Sequence, residues 1–272
     1  MIRLAVRCAA EQAEAVLAEL LQVAPNGVEE RSGHGWVEYA IYGGEGELPD
    51  LGAVEAGFGD ALVEVRAEPV PDDWADRWRE FHRPTLIAGR VVVRPSWRDD
   101  APPAELEVVL DPGQAFGTGA HPTTRLCIEL LLELADQGRA RGPLADLGTG
   151  SGVLAIVAAK LGWRPVLGVD HAEPAITAAR ENAAANGADI ELRLLDLRSD
   201  PPPAAPVVVA NLTAPLLREL APRLAAATEV VVCSGLLARE RADVERAFAD
   251  AGFALRDART EGDWAALLLA RP

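Results

Sequence analysis

Apolar and polar positions alternate differently in the two parts of this chain. The first part predicts a small α+β domain over residues 1–67 with a βαββαβ-like arrangement, or a shortened version of it, whose helices cover one face of a sheet. The pattern predicts strands at 4–6, 36–41 and 61–65 and helices at 11–21 and 51–58.

An aromatic stripe marks the next segment, residues 68–85. Trp74, Trp78 and Phe81 stand at positions i, i+4 and i+7, which places them on one face of a helix. We interpret this linker helix as a hydrophobic stripe that packs between two domains, in preference to a cofactor-stacking surface.

Strands and helices then alternate through residues 86–272. Nearly all-apolar strands separated by helices are typical of a parallel sheet covered on both faces, so we expect one doubly wound α/β domain. The predicted strands are 90–93, 106–110, 144–147, 165–169, 190–195, 207–210, 230–233, 253–256 and 264–269, and the predicted helices are 123–135, 153–161, 174–185, 214–227 and 239–251.

Composition restricts the function classes. The 272 residues carry a net charge of -16, which disfavours nonspecific binding of nucleic acid and favours a basic protein partner. Residues 1–70 hold 13 acidic and 4 basic side chains, although a solvated acidic face would explain this as well. With no apolar run of membrane-spanning length and no signal-peptide pattern, we expect a cytoplasmic monomer without a membrane contact.

The residues that commonly bind metals lie scattered. Cys8, Cys127 and Cys233 show no paired spacing, so we expect buried, reduced thiols and neither a disulfide nor a zinc site. The four histidines have no ligand spacing either, and we predict no metal.

A glycine-rich turn, Asp146 to Gly152, follows a buried strand and opens a helix. Its glycines stand at 148, 150 and 152, and Val153 occupies the position where a dinucleotide-binding turn needs its last glycine. No Lys-Ser/Thr pair closes the turn, which excludes a phosphate loop. The form resembles the first motif of the seven-stranded methyltransferases, where this turn contacts S-adenosylmethionine.

Polar residues also end the next three strands. Asp170 comes 22 residues after Gly148, where a carboxylate can accept both ribose hydroxyls, although it could instead cap the following helix. Asp196 could meet the adenine amine, or it could be a plain loop acid. The neutral carbonyl of Asn211 could hold an amine without protonating it, which nucleophilic attack requires.

The segment 111–124 is less common than the glycine turn. It contains the sequence AFGTGAHPTT, and its glycines and Pro122 mark an ordered entry into a helix, with His121 or Thr123 available as the cap. The segment could also fold over a bound ligand. We prefer capping for His121 over a role as general base.

Together these motifs resemble the ribosomal protein L11 methyltransferase family. The resemblance rests on AFGTGAHPTT, DLGTGSGVLAI at 146–156, GVD at 168–170, VVVANL at 207–212, SGLL at 234–237, DDWADRW at 72–78 and RPSW at 94–97. It implies a ferredoxin-like N-terminal domain that binds the substrate, and a seven-stranded, Rossmann-like class I domain. The implied activity is methylation of lysine ε-amines and an α-amine of ribosomal protein L11 by S-adenosylmethionine.

Carried over by position, the resemblance makes Thr124, Gly148, Asp170 and Asn211 cofactor contacts, with Phe116 and the turn Gly117-Thr118-Gly119 closing the site. Asn211 is the predicted catalytic residue. The full predicted cofactor site consists of Phe116, Gly117, Thr118, Gly119, Thr124, Asp146, Gly148, Gly150, Asp170, Asp196 and Asn211. The sequence departs from the family pattern at His171 and at residues 225–228, where Ala-Ala-Ala-Thr replaces a glycine pair.

Other functions remain open from the sequence. A class I methyltransferase acting on another protein or a small molecule is the main alternative. A nucleic-acid methyltransferase is disfavoured by the acidity and by the absence of an Asn-Pro-Pro-aromatic motif after Ala210. A binding module that retains only the scaffold would be expected to have lost its glycines or Asp170, and this chain keeps both.

Overall fold

The structure, a computed structural model, describes the chain in several stretches. These are residues 2–13, 16–17, 29–33, 35–43, 48, 62–69, 83–111 and 119–272. The chain divides into two compact units, Met1–Phe81 and His82–Pro272. The predicted helix at 51–58 and the aromatic stripe of the linker helix lie outside the described residues.

The first unit contains a four-stranded antiparallel sheet in the order β2-β3-β1-β4. Its strands are β1 (Ile2–Ala9), β2 (Glu29–Gly33), β3 (Trp36–Gly43) and β4 (Leu62–Pro69). Leu4, Val6 and Ile41 belong to its core, and Val16 from a helical stretch packs with them. The order is the one expected of a ferredoxin-like sheet, and the complete ferredoxin-like arrangement of this unit stays a prediction.

Strand β2 has no counterpart among the predicted elements. Its residues, Glu-Glu-Arg-Ser-Gly, are almost entirely exposed, and it pairs with β3 at the edge of the sheet. An edge strand whose side chains are almost all exposed has no apolar alternation in its sequence, so hydrophobic periodicity could not find it.

The second unit is built on a seven-stranded sheet in the order β10-β9-β8-β11-β12-β14-β13. Strand β14 runs antiparallel to both of its neighbours, and the pairs from β10 to β12 are parallel. The strands of the unit are β5 (Thr85–Ile87), β6 (Val91–Arg94), β7 (Leu106–Val109), β8 (Leu144–Leu147), β9 (Val166–Asp170), β10 (Ile190–Leu194), β11 (Val207–Asn211), β12 (Val230–Leu237), β13 (Ala254–Glu261) and β14 (Trp264–Ala270). Its α-helices are α1 (Pro122–Asp136), α2 (Val153–Leu161), α3 (Glu173–Ala185), α4 (Ala214–Leu220) and α5 (Arg241–Asp250).

Both faces of the large sheet are covered, as a doubly wound fold requires. Along β11, Val207 and Val209 belong to one apolar core and Val208 and Ala210 belong to the other. Because successive side chains of a strand point to opposite faces, a strand buried on both sides is expected to be apolar at nearly every position. The prediction of a seven-stranded, doubly wound class I fold is therefore confirmed.

One prediction about this sheet is wrong. Strands β6 and β7 do not join the alternation of the large sheet; they form a separate three-stranded sheet with β5, in the order β5-β6-β7. The connection 95–105 contains no helix that could carry the chain across the large sheet. Val91, Val93 and Val108 are nevertheless buried in the same core as α1 and α2, which explains their apolar pattern.

The helix predicted over 214–227 is shorter in the structure. It ends at Leu220, and a 3-10 turn, Ala221–Arg223, follows. Pro222 has no N–H to donate to the preceding turn, so a continuous α-helix is interrupted there.

The sheet order places a crevice at the carboxyl ends of the central strands. After β8 the chain adds β9 and β10 on one side, and it then returns to place β11 on the other side of β8. Ligands of open α/β sheets bind at such a switch point. Candidate functional residues are therefore expected at the ends of β8, β9 and β11.

Candidate active site

The turn between β8 and α2 depends on its glycines. Gly148, Gly150 and Gly152 have φ angles of +74°, +53° and +82°, a region that other residues enter only with strain. The turn hydrogen-bonds to the neighbouring strand, because the amides of Gly148 and Thr149 both donate to Val169 O at 2.9 Å. The loop thereby lies at the tips of β8 and β9.

Asp146 stabilises this loop from inside the protein. Its fully buried carboxylate accepts a hydrogen bond from Thr149 Oγ1 at 2.7 Å and another from the Ala155 amide at 3.1 Å, both at Oδ2. Burial raises the pKa of Asp146 to about 7, against the lowering effect of these two hydrogen bonds. Within the described part of the chain, Oδ1 has no hydrogen-bond partner.

Asp170 lies at the end of β9, and it contacts the same loop. Its Oδ2 accepts from the Gly150 amide at 3.0 Å, and its Oδ1 accepts from the Ala172 amide at 3.1 Å. His171 Nδ1 lies 3.3 Å from Oδ1. Asp170 is not itself the N-cap of α3, which is Ala172, but its carboxylate binds the amide of that N-cap residue, so it contacts the start of the next helix as well as the loop.

Asn211 and Thr124 meet although they are 87 residues apart in the chain. Asn211 Nδ2 donates to Thr124 Oγ1 at 3.4 Å, where the end of β11 faces the first turn of α1. Thr124 is buried and Asn211 is half-buried. Since the amide nitrogen of Asn211 contacts Thr124, its carbonyl oxygen is left to accept a hydrogen bond from a ligand.

His121 caps the helix that carries Thr124. Its Nδ1 accepts from the Thr123 amide at 3.3 Å and lies 2.7 Å from Thr123 Oγ1, which confirms the capping prediction. The ring packs edge-on against Trp264, with 4.8 Å between centroids. Burial and, after it, the charge of Arg125 lower the pKa of His121, although Glu261 opposes them.

The remaining predicted site residues differ in what surrounds them. Gly119 is buried with φ +78°, and a Cβ there would lie 2.7 Å from Val93 Cγ1. Asp196 orders its own loop, because its Oδ1 accepts from the Arg198 amide at 2.9 Å. Phe116, Gly117 and Thr118 lie outside the described residues.

Other kinds of site find no support in the described stretches. No group of three or more His, Cys, Asp and Glu side chains there is arranged to hold a metal ion. The three cysteines are free and buried, and burial raises the pKa of Cys233 to about 12. No helix among these residues is long and apolar enough to cross a membrane.

Comparison with known proteins agrees with this geometry. A family model described as ribosomal protein L11 methyltransferase matches residues 50–272. The chain belongs to this family. The ribosomal protein L11 methyltransferase of Heliobacterium modesticaldum is 41% identical over 206 residues, which cover 74% of this chain and 64% of that protein. The one from Geobacter sulfurreducens is 38% identical over 231 residues, which cover 80% of this chain and 76% of the relative.

A solved structure is similar as well. The ribosomal protein L11 methylase from Lactobacillus delbrueckii subsp. bulgaricus is 34% identical, with a TM-score of 0.61, and the match covers 70% of this chain and 98% of that one. The chain spans slightly less than two thirds of the length of the Heliobacterium relative.

The two departures from the pattern of the L11 methyltransferase family fit the fold. The turn at 225–228 forms without a glycine pair, with the Thr228 amide donating to Ala225 O at 2.9 Å. His171 is exposed beside Asp170, so its ring does not disturb the core.

Sequence reasoning missed two residues that shape the site, Leu212 and Gly235. A Cβ at Gly235 would lie 2.4 Å from Leu212 O, and the Leu212 side chain packs against Gly148. Gly235 belongs to the SGLL motif, so the residue was visible in the sequence. Its role could not be predicted, because the sequence does not distinguish a glycine required by close packing from a glycine required by a turn.

Proposed function

We propose that this chain is an S-adenosylmethionine-dependent methyltransferase that methylates lysine ε-amines and an α-amine of ribosomal protein L11. The observation that carries the proposal is the hydrogen bond from the Gly150 amide to Asp170 Oδ2. It joins the glycine loop to the acid of the next strand at the switch point of the sheet, where a nucleoside with a ribose would be held.

The residues at this point fit such a cofactor. A carboxylate offers about four lone-pair positions, and the Gly150 and Ala172 amides use two of those of Asp170. Acceptor capacity therefore remains on Asp170 for the ribose hydroxyls, with His171 Nδ1, 3.3 Å from Oδ1, as a competing partner. Gly148 and Gly150 have the left-handed φ angles of a tight turn, which allow the chain to bend at the switch point without the strain of a Cβ. Asp146, which is fully buried, would contribute by holding the loop.

When bound, S-adenosylmethionine supplies an electrophilic methyl group on a sulfonium sulfur. The protein has to align an amine with it and keep water away. The carbonyl oxygen of Asn211 can accept an N–H from the amine, and Thr124 fixes the orientation of that amide. A neutral acceptor leaves the amine lone pair free to attack, whereas a carboxylate would favour the unreactive ammonium form. Thr124, Gly119 and Asp196 complete the proposed cofactor site, together with Phe116, Gly117 and Thr118.

The proposed substrate is a basic protein, which the net charge of -16 suits. We propose that residues 1–67 recognise it, that residues 68–85 connect the domains, and that residues 86–272 carry out the transfer. Family membership and the names of the relatives favour L11 over another protein or a small molecule. We further propose that the enzyme acts in the cytoplasm as a monomer.

The test is incubation of the purified chain with labelled S-adenosylmethionine and purified bacterial ribosomal proteins, followed by mass spectrometry of the labelled species. We expect label on lysines and the α-amine of L11. Asp170→Ala should abolish cofactor binding in calorimetry, and Asp189→Ala, in an exposed loop, is the matched control. Normal cofactor binding by Asp170→Ala would refute the site, and label on another protein alone would refute the substrate.

A further inference from the structure

We propose that Asn182 and Asn186 are positioning residues that couple the cofactor loop to the strands supporting the start of α1. This inference rests on the proposed function, because it concerns how the two halves of the proposed site are held together. The two asparagines lie one helical turn apart, Asn182 in the last turn of α3 and Asn186 at its C-cap, and neither belongs to the predicted site.

Asn182 holds the cofactor loop. It is buried, and its Nδ2 donates to Ser151 O at 2.9 Å. The helix lies directly against the loop here, since a Cβ at Gly152 would be 3.2 Å from Ala179 Cβ. The loop therefore cannot shift away from α3 without breaking a buried hydrogen bond.

Asn186 holds strand β7. Its Oδ1 accepts from the Val109 amide at 2.9 Å, and its Nδ2 donates to Val109 O at 2.6 Å, so one side chain pairs with both main-chain groups of one residue. Asn186 Nδ2 also donates to Asn182 O at 2.8 Å. The two asparagines thus form a continuous hydrogen-bonded connection from Ser151 to Val109.

The connection continues across the three-stranded sheet. Val108 and Val109 of β7 pair with Val93 and Arg94 of β6. Val93 lies directly against the α-carbon of Gly119, which precedes the capped entry into α1. The chain of contacts runs from the loop that would bind the cofactor to the helix turn that carries Thr124.

Directional hydrogen bonds distinguish this arrangement from ordinary packing. Apolar side chains would fill the same space, but they would not fix Val109 relative to Ser151 in one register. Asn186 binds the main chain of β7, so its contact does not depend on which side chains that strand carries. A cofactor that orders Ser151 should accordingly order Val109, through coupling between two sites.

The experiment measures hydrogen exchange of the Val109 amide, whose hydrogen bond goes to Asn186 Oδ1. We expect S-adenosylmethionine to slow this exchange about tenfold in the wild-type chain. Asn182→Ala should abolish the slowing at saturating cofactor, although Val109 and its own partner are unchanged. Glu181→Ala, exposed on the same helix, should retain it.

Kinetics provide a second measurement. We expect Asn182→Ala and Asn186→Ala each to raise KM for S-adenosylmethionine about tenfold, with kcat changed less than about threefold. The double variant should raise KM by no more than about tenfold relative to wild type, because both residues belong to one connection. Asn186→Asp keeps the acceptor for Val109 and loses both donors, and should behave like Asn186→Ala. If an alanine variant unfolds, the test is hydrogen exchange of the Val109 amide in Asn186→Asp. Loss of the slowing by S-adenosylmethionine in this variant would support the coupling, and retention of the slowing would refute it.

The outcomes separate the two proposals. If wild-type protein does not bind S-adenosylmethionine, the proposed function fails and the coupling fails with it. If it binds but Val109 exchange is unchanged, or if Asn182→Ala retains the slowing, the coupling alone is refuted. Lower melting temperatures with wild-type KM values would also refute it, because they would assign the asparagines to stability only.

Discussion

The side chain of Leu212 packs directly on the α-carbon of Gly148, so closely that a Cβ on Gly148 would lie 2.4 Å from Leu212 Cδ2. Leu212 follows the proposed catalytic residue Asn211, and Gly148 begins the glycine-rich turn after β8. The loop after β8 and the loop after β11 are therefore fitted to each other through one contact between a leucine and a glycine.

Gly148→Ala should be more destabilising than its backbone conformation alone would make it. Gly142 has a nearly identical φ of +73°, and no atom of the described residues lies within 4 Å of the place its Cβ would take, which makes Gly142→Ala the matched control. Both substitutions incur about 1 kcal/mol for a left-handed alanine. The contact with Leu212 should add about 1 kcal/mol at Gly148, because the nearest atom, Cδ2, is the end of a half-buried side chain that can partly move aside. Urea unfolding of the two variants measures the difference, and equal losses would contradict the contact.

Shortening Leu212 should relieve this clash selectively. In a Leu212→Ala background, Gly148→Ala should lose most of its additional cost, because its nearest neighbours are Leu212 side-chain atoms. Gly235→Ala should not be relieved, because a Cβ there would meet main-chain atoms of Leu212, with Leu212 O at 2.4 Å. Double-mutant cycles from urea unfolding measure both couplings. Equal relief at the two glycines would contradict this prediction.

Hydrophobic patterning was sufficient to predict most of the second unit. Helix α2 occupies the predicted residues 153–161, and the strands at 144–147 and 207–211 agree within one residue, because each is buried on both faces. Patterning could not assign β6 and β7 to a separate sheet, since burial reveals that a strand is covered but not which strand it pairs with. The turn at Pro222 shortened a helix whose apolar periodicity continues beyond it.

The sequence was sufficient to predict those candidate site residues that lie at the end of a strand. Asp170 and Asn211 stand at the strand ends where the sequence placed them. The contacts between Asp170 and Gly150 and between Asn211 and Thr124 depend on the order of strands in the sheet, which one sequence does not contain. Leu212, Asn182 and Asn186 were missed for the same reason, since their partners are distant in the chain.

Asp146 should make the stability of the protein fall as pH rises from about 4 to about 7. Burial raises its pKa to about 7 in the folded chain, whereas an unfolded aspartate titrates near about 3.9. The folded state therefore binds the proton more tightly, and this stabilisation is present at low pH and is lost as pH rises through the folded pKa. Asp146→Asn should remove the effect, since an amide oxygen can still accept from Thr149 and Ala155.

The measurement is urea unfolding of Asp146→Asn and wild type at several pH values between about 4.5 and about 8. The stability of the variant relative to wild type should increase with pH, by at most about 4 kcal/mol for a shift of this size. Asp189→Asn, in an exposed loop, is the control and should follow the wild-type curve. A constant difference between Asp146→Asn and wild type would contradict the prediction.

Asn211→Asp should slow methyl transfer while leaving the affinity for the substrate lysine unchanged or higher. A carboxylate beside the acceptor amine raises the pKa of that amine, so a smaller fraction is neutral and reactive at a given pH. We expect kcat to fall about a hundredfold near about pH 7.5 and to recover as pH rises, with KM for the protein substrate unchanged or lower. Initial rates across pH measure this with L11 as substrate. A variant whose kcat is independent of pH and near wild type would remove Asn211 from the transfer step.

His121 should act in this protein as a helix cap, and its two substitutions separate that role from catalysis. His121→Ala removes the acceptor for the Thr123 amide and should cost about 1 kcal/mol of stability, whereas His121→Asn supplies another capping oxygen and should cost less than about half of that. Because the pKa of His121 is lowered, the folded wild type binds this proton less tightly than the unfolded chain. Its cap is therefore intact at high pH and is lost as pH falls below about 6.5, the ordinary value for histidine.

The asparagine variant should lack this loss on acidification and should retain methyl transfer within about threefold of wild type, since an amide can cap but cannot accept a proton at neutral pH. Thermal unfolding at about pH 8 and at about pH 5.5, with initial rates at the higher pH, tests both statements. If His121 were the general base, His121→Asn would lose about a hundredfold or more in kcat with its stability retained, because the transfer step would lack its proton acceptor while the helix kept its cap.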